Sequence, residues 1–228
     1  MEKLVYTLDA DASLPGADLR TALIEKAAPT LRAAGATQIS VNVEDEEVSA
    51  GAGVKIARAE PSMRAMVSFW LDSADDRGPC EEALSPHAAG LAGYLVAESR
   101  PLLHHPPVGQ RAAGANLVTC INRLPGLGDE AFIDLWNNEH RKVALETQST
   151  TAYVRNAVVR GLTPGAPLRD GIVEETFPME ALTNPHVWYD CDNEEEYQRR
   201  LARMMDSVNA FLDLQCLVST PMSEYFLG

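Results

Sequence analysis

The sequence predicts an α+β protein in which two tandem βαββαβ units set their sheets against each other within one chain. Three observations carry that expectation. The order strand–helix–strand–strand–helix–strand can be read twice along the 228 residues. A segment with two adjacent prolines, "HHPPVGQRAAG", stands between the copies. The strands carry apolar residues on both faces, as in the pairs Val67/Phe69 and Met66/Trp70, more than helices on one face can cover.

The first unit opens with "KLVYTL", an apolar strand ending at Asp9. Leu19, Leu23, Ile24, Ala27 and Leu31 then recur at helical spacing, Gly35 is placed to stop the helix, and Pro29 inside the pattern is expected to kink it. "TQISVNV" alternates strictly and predicts a strand. Residues 44–63, rich in Ala, Gly and acid, predict a loop. "RAMVSFWL" is the next strand, "PCEEALSPHAAGLAG" a weak helix broken at Pro86, and "YLVAESRPLL" the closing strand.

The second unit repeats the order. "ANLVTCINRL" is a strand and "GDEAFIDLWNNEHRKVALETQ" a helix. "TAYVRNAVV" and "DGIVEETF" are strands. "NEEEYQRRLARMMDSVNAF" is a helix for which Asp192 and Glu195 fit a capping box, and "LQCLVSTPM" is the last strand. This order describes a ferredoxin-like, split βαβ unit. The expected division is an N-terminal unit over 1–103, a linker over 104–113 and a C-terminal unit over 114–228. Their facing sheets would form an intrachain α+β barrel, with a cavity wherever the inner side chains fail to fill it. Such pairing within one chain removes the need for a dimer, and leaves a homodimer through outer surfaces or sheet edges open.

Composition narrows the function. Hydrophobic residues make up 46% and charged residues 23%, as in an ordinary packed domain. A net charge of −14 argues against nucleic acid as a partner, since phosphate binding needs clustered Lys and Arg. No apolar run is long enough for a membrane span, and the N-terminus shows no signal pattern, so the expected location is cytoplasmic. Cys80, Cys120, Cys191 and Cys216 form no CxxC pair and are read as reduced thiols. His104 and His105 have no ligand partner at metal spacing and are expected to be exposed. Nucleotide-binding and serine-hydrolase motifs are missing. Protein free of stoichiometric metal, flavin and haem is therefore expected. Haem is the least constrained of these exclusions, because one axial histidine suffices and His140 or His186 could serve.

The helix of the second unit holds a histidine where an apolar stripe continues. His140 follows Trp136 by four residues and Phe132 by eight, so the three share one face. The second half, roughly residues 115–227, resembles the EthD family through Phe132, Trp136 and His140 in "FIDLWNNEH", Tyr153 and Val154 in "AYVRN", and Asp170, Gly171 and Ile172 in "RDGIVEE". The resemblance implies a dimeric-α+β-barrel fold with a small cavity. It also implies a superfamily of monooxygenases, lactone isomerases and polyketide cyclases acting on hydrophobic, often aromatic, molecules. The first half departs from the pattern, with Leu23, Ala27 and Leu31 on its stripe and no histidine, so one such site is expected.

Two functions follow as alternatives. One is a cofactor-independent enzyme acting on a small hydrophobic or aromatic molecule, with His140 as acid/base and Trp136, Tyr153, Arg155 and Trp188 as substrate-binding residues. The other is a non-catalytic binding or accessory protein. Each residue also has a purely structural reading. His140 would bridge the helix to a sheet carbonyl. Arg155 would be a surface residue or pair with Glu174 or Glu175, making that carboxylate a structural ion rather than an acid. Trp188 would pin the "NPHVWYD" loop.

Overall fold

The computed structural model describes residues 1–58 and 63–228. In the first half, β1 (Glu2–Asp9) leads into α1 (Gly16–Thr21), a π-helical turn (Ala22–Ala27) and α2 (Ala28–Ala33), which form one continuous rod. β2 (Thr37–Val43), a 3₁₀ helix (Glu46–Val54), β3 (Ile56–Ala57), β4 (Ala65–Leu71), α3 (Gly78–Leu84) and β5 (Gly90–Leu102) follow. In the second half come β6 (Ala115–Ile121), α4 (Asp129–Asp134), a π turn (Leu135–His140), α5 (Arg141–Thr147), β7 (Ala152–Gly161), β8 (Gly171–Phe177), α6 (Pro185–Trp188), α7 (Glu194–Asn209) and β9 (Val218–Phe226).

Several local expectations change. The segment read as a loop over 44–63 carries the 3₁₀ helix and β3, while residues 59–62 lie outside the described residues. The irregularity expected at Pro29 takes the form of a π turn just before it. Ala28 N–H reaches back five residues to Leu23 O, which widens the helix where the proline ring needs room. Gly35 ends the rod with φ of 93°, a conformation that suits glycine. The cap of α7 is Asn193, whose side chain accepts from Glu196 N–H, one residue beyond the expected Asp192. The linker is not free: Val108 bridges to Phe226 and Arg111 to Tyr225, so it runs along β9.

The strands form one closed antiparallel barrel of eight strands. The order is β2-β4-β1-β5-β7-β8-β6-β9, with β9 returning to β2 and β3 attached to β9. Each half contributes four adjacent strands in the same relative order, second, third, first, fourth. Thus the two sheets do more than face each other; they are hydrogen-bonded along β5–β7 and β2–β9. Helices cover the outside. Leu4, Tyr6 and Leu8 of β1 point outward and meet Leu19, Leu23 and Leu31.

The barrel interior is packed with Val5, Met66, Tyr94, Val118, Ile172 and Met222. Polar groups there are paired across it. Asn116 donates to Asn42 at 2.8 Å, Asn156 donates to Glu174 at 2.9 Å, and Lys3 lies 2.5 Å from Glu98 and 3.6 Å from Glu174. About 180 Å³ of polar space is left at one mouth. The expected cavity between the facing sheets is therefore mostly filled, and a larger apolar hollow lies on the outside of the second half.

The β2–β9 seam is locked by buried Asp45. It accepts from Ser223 Oγ at 2.7 Å, Tyr225 O–H at 3.2 Å and Arg20 at 3.0 Å. Removing one partner from a buried charged network leaves the others unsatisfied. Asp45→Ala is expected to lower stability by about 2–4 kcal/mol in equilibrium denaturation. A loss near zero would deny Asp45 this role.

Candidate functional site

The hollow arises because the two halves fill the helix–sheet space differently. In the first half, Tyr6 at the centre of β1 pairs with Gly93 across the strands. Its ring lies over that glycine, where a Cβ would come within 2.4 Å of it, and stacks on Phe69 at 5.6 Å. Thr119 holds the corresponding central place in β6, between Val173 and Ser219. No ring fills the space, so Leu117 and Thr119 stay only half-buried in mid-sheet beneath the helices. A cavity of about 300 Å³ results, bounded by β6–β8 below and by the π turn and α7 above.

His140 ends the π turn and faces this cavity. The equivalent end of the first-half π turn is Ala27. Trp136 enters the same layer, where its indole lies against Gly171; a Cβ there would approach it to 2.4 Å. Ring contacts with Phe211 at 5.1 Å and a bond of 3.0 Å between Nδ1 and Ser207 Oγ fix the His140 ring. Burial, with the Arg155 charge adding to it, pushes the imidazole down to about 4. The ring is thus neutral at cellular pH.

The strongest acid/base candidate is Glu175, for which strand alternation alone predicts no more than a structural ion. Glu175 pairs directly with Tyr153 across β7–β8 and with Leu117 across β6–β8, so its side chain points into the cavity. Its Oε1 is sealed from solvent and has no hydrogen-bond partner among the described residues. Burial raises the carboxyl to about 7. Tyr153 is fully buried beside it, its phenol held well above the usual range by burial and then by the Glu175 charge. Alternation placed Glu174 and Glu175 on opposite faces; which one met the helices depended on how the barrel closed.

A second, wider chamber of about 730 Å³ adjoins the first. Trp188, Tyr189, Tyr197 and Leu201 line it, together with Val54 and Ile56 from the first half. Trp188 stacks on Phe177 at 4.0 Å.

The family model described as "EthD domain" matches residues 124–215, the stretch carrying the π turn, Tyr153, Glu175 and α7. Residues 124–215 are thus similar to an EthD domain over about 40% of the chain. No curated protein matches the chain in sequence. Among solved structures, an anthrone oxidase-like protein superposes with a TM-score of 0.59 at 12% identity, covering 100% of this chain and 93% of its own. A putative monooxygenase from Lactobacillus acidophilus gives 0.51 at 8%, covering 100% and 96%. One from Fusobacterium nucleatum gives 0.51 at 10%, covering 100% and 92%. At these identities the likeness is one of fold.

Within the matched stretch, the structure brings Trp136, His140 and Tyr153 to the inner chamber and Trp188 to the outer one. Arg155 goes elsewhere. Its guanidinium sits behind the cavity wall, 5.9 Å from the Trp136 and Tyr153 rings, with Nε donating to Ser99 Oγ at 3.1 Å. It is buried rather than on the surface, and the expected ion pair with Glu174 or Glu175 does not form among the described residues. Strand alternation directs Arg155 and Glu174 to opposite faces, and Glu174 turns to Lys3 inside the barrel. His104 is also not exposed as expected: it is half-buried 3.3 Å from Glu224, whose carboxylate raises its pKa. Among the described residues no cluster of three metal-ligating side chains occurs, and no helix is long and apolar enough to cross a membrane.

Proposed function

We propose that this protein is a cofactor-independent enzyme that moves a proton on a hydrophobic or aromatic molecule held beneath its helices. The proposal is carried by the buried carboxyl of Glu175, unpartnered among the described residues, converging with His140 and Tyr153 on an apolar cavity. A carboxyl near neutrality is poised as a base at cellular pH. The acid/base role goes to Glu175 rather than His140, since burial that lowers the imidazole to about 4 leaves it a weak base. The neutral ring acts instead as a fixed hydrogen-bonding group.

The step is a proton abstraction from carbon next to a carbonyl. The C–H bond breaks, an O–H bond forms on Glu175, and the electron pair moves to the substrate oxygen as an enolate. In this reading the His140 tautomer is the one whose Nδ1 accepts from Ser207, so that the other ring nitrogen carries the hydrogen and donates to that oxygen, with the Tyr153 hydroxyl as a second donor. Reprotonation at another carbon completes an isomerisation; attack on a second carbonyl completes a ring closure. The two halves of the barrel are read as tandem ferredoxin-like units from one ancestor, of which only the second kept its hollow. The likeness of the fold to an anthrone oxidase-like protein and to putative monooxygenases fits an enzyme.

The test uses a simple carbon acid, 2-tetralone, in deuterated buffer. Wild-type protein should speed exchange of its α-protons, followed by NMR, and Glu175→Gln should not. Saturable binding without faster exchange would reject catalysis in favour of a binding protein. His140→Leu separates a site role from a structural one. Ser207 is only half-buried, so its released hydroxyl can meet water, and the expected stability cost is below about 1 kcal/mol while exchange falls at least tenfold. A large loss of stability with exchange retained would make His140 structural.

A further inference from the structure

The inner and outer chambers share Ile56, Leu117, Gln148 and Ser219 as lining residues. These four form a common waist, so the two spaces are successive parts of one slot across the outside of β6 and β9. The chambers differ in chemistry. The inner one holds titratable groups, Glu175, His140, Tyr153 and Arg58 among them. Among the described residues the outer one is lined by no charged side chain, although the chain carries a net charge of −14. Its aromatic walls, Trp188, Tyr189 and Tyr197, remain half-exposed. A concave apolar surface next to a reactive chamber is costly to leave in water and fits a ligand's apolar body.

The origin of the walls points the same way. The outer chamber is closed on one side by Ala50, Gly53, Val54 and Ile56, which precede the matched stretch by more than half its length in sequence and belong to the first half. The 3₁₀ helix between β2 and β3 brings them over the second half's cavity. In the first half the Tyr6 ring occupies the corresponding place, over Gly93. The first half's contribution is thus to lengthen the second half's site.

We infer that the ligand is extended, longer than a single ring. Its polar, reactive end reaches Glu175 and His140, and its uncharged tail passes the Leu117–Ser219 waist into a subsite walled by Leu201 and Trp188 on one side and the Gly53 segment on the other. The inference rests on the proposed function for the placing of the reactive end, and revises the expectation of a small substrate.

A series of 4-alkylphenols, from 4-ethylphenol to 4-octylphenol, tests it by calorimetry or fluorescence titration. With the phenol in the inner chamber, each added methylene should enter the outer one. Wild-type affinity is then expected to rise by about 2–4-fold per methylene, the range set by burying a CH₂ group. Leu201→Trp should flatten the series while leaving 4-ethylphenol affinity within about twofold. Gly53→Phe does the same from the opposite wall; a Cβ at Gly53 meets nothing within 4 Å, so this variant should fold even if the first does not. A flat wild-type series, or a slope that survives both blocking variants, would overturn the extended ligand. The outcomes remain distinguishable from those for catalysis. Proton exchange that depends on Glu175 together with a flat series rejects only the extended ligand. A chain-length slope without exchange rejects only the catalytic role.

Discussion

Glu175→Gln is expected to abolish proton exchange, by about 10²–10⁴-fold, while making the protein more stable above neutrality. The two effects have one cause. The carboxyl is buried without a partner, so the fold favours its protonated form and raises it from 4.5 to about 7. The unfolded chain loses that proton first. Between about pH 4.5 and 7 the native state therefore binds more protons, and stability falls as pH rises through this window. Above it, the full cost of a buried carboxylate is present, on the order of 1–3 kcal/mol after allowing for the open cavity beside it. Glutamine carries no such cost. The variant should match wild type at pH 4 and exceed it at pH 8, as read from denaturant midpoints at both values. Activity should rise with pH and level off above about 7 as the carboxylate form fills. A limb near 4 would instead point to His140, whose pKa lies there. Equal stability of the two proteins at pH 8 would mean that Glu175 finds a partner in solution.

Trp136→Ala is expected to give the largest loss of stability, about 3–5 kcal/mol, with a fall in Tm on the order of 10 °C. Trp136 is 1% exposed and is the largest fully buried side chain. It touches four things at once: the bare backbone of Gly171, the Phe132 ring at 5.4 Å, the Arg155 guanidinium at 5.9 Å and the cavity itself. Alanine removes the wall between the cavity and Arg155. The space cannot collapse readily, because the sheet below is tied into a closed barrel. Binding in the inner chamber should weaken along with stability. A cost below about 1 kcal/mol would show that neighbouring side chains close the gap.

Much of this architecture was legible in the sequence. Leu19, Leu23, Ala27 and Leu31 recur as Phe132, Trp136, His140 and Ala144, each set on one helix face. That spacing alone turned His140 toward the sheet. Alternation in "GIVEETF" separated Glu174 from Glu175, and the doubled element order foretold eight barrel strands. The EthD signature lay in short local strings around the same helix. These features were readable because they follow from neighbours within two helical turns or one strand.

What the sequence determined by itself was therefore the inventory of elements, their faces and the candidate histidine. Closure of the barrel decided that Glu174 would turn inward to Lys3 and Glu175 outward to an empty pocket. No local pattern distinguishes those two carboxylates, since a strand's period fixes only that they oppose each other. The hollow was equally hidden. It depends on Thr119 standing where the first half has Tyr6, and on helices held away from a bare stretch of β6. Whether space remains between packed layers is a sum over side chains distant in sequence, as is the reach of Ala50–Ile56 across to α7. The site's chemistry lies in those distant meetings, because burial without a partner, the condition that raises Glu175, exists only once every neighbour is in place.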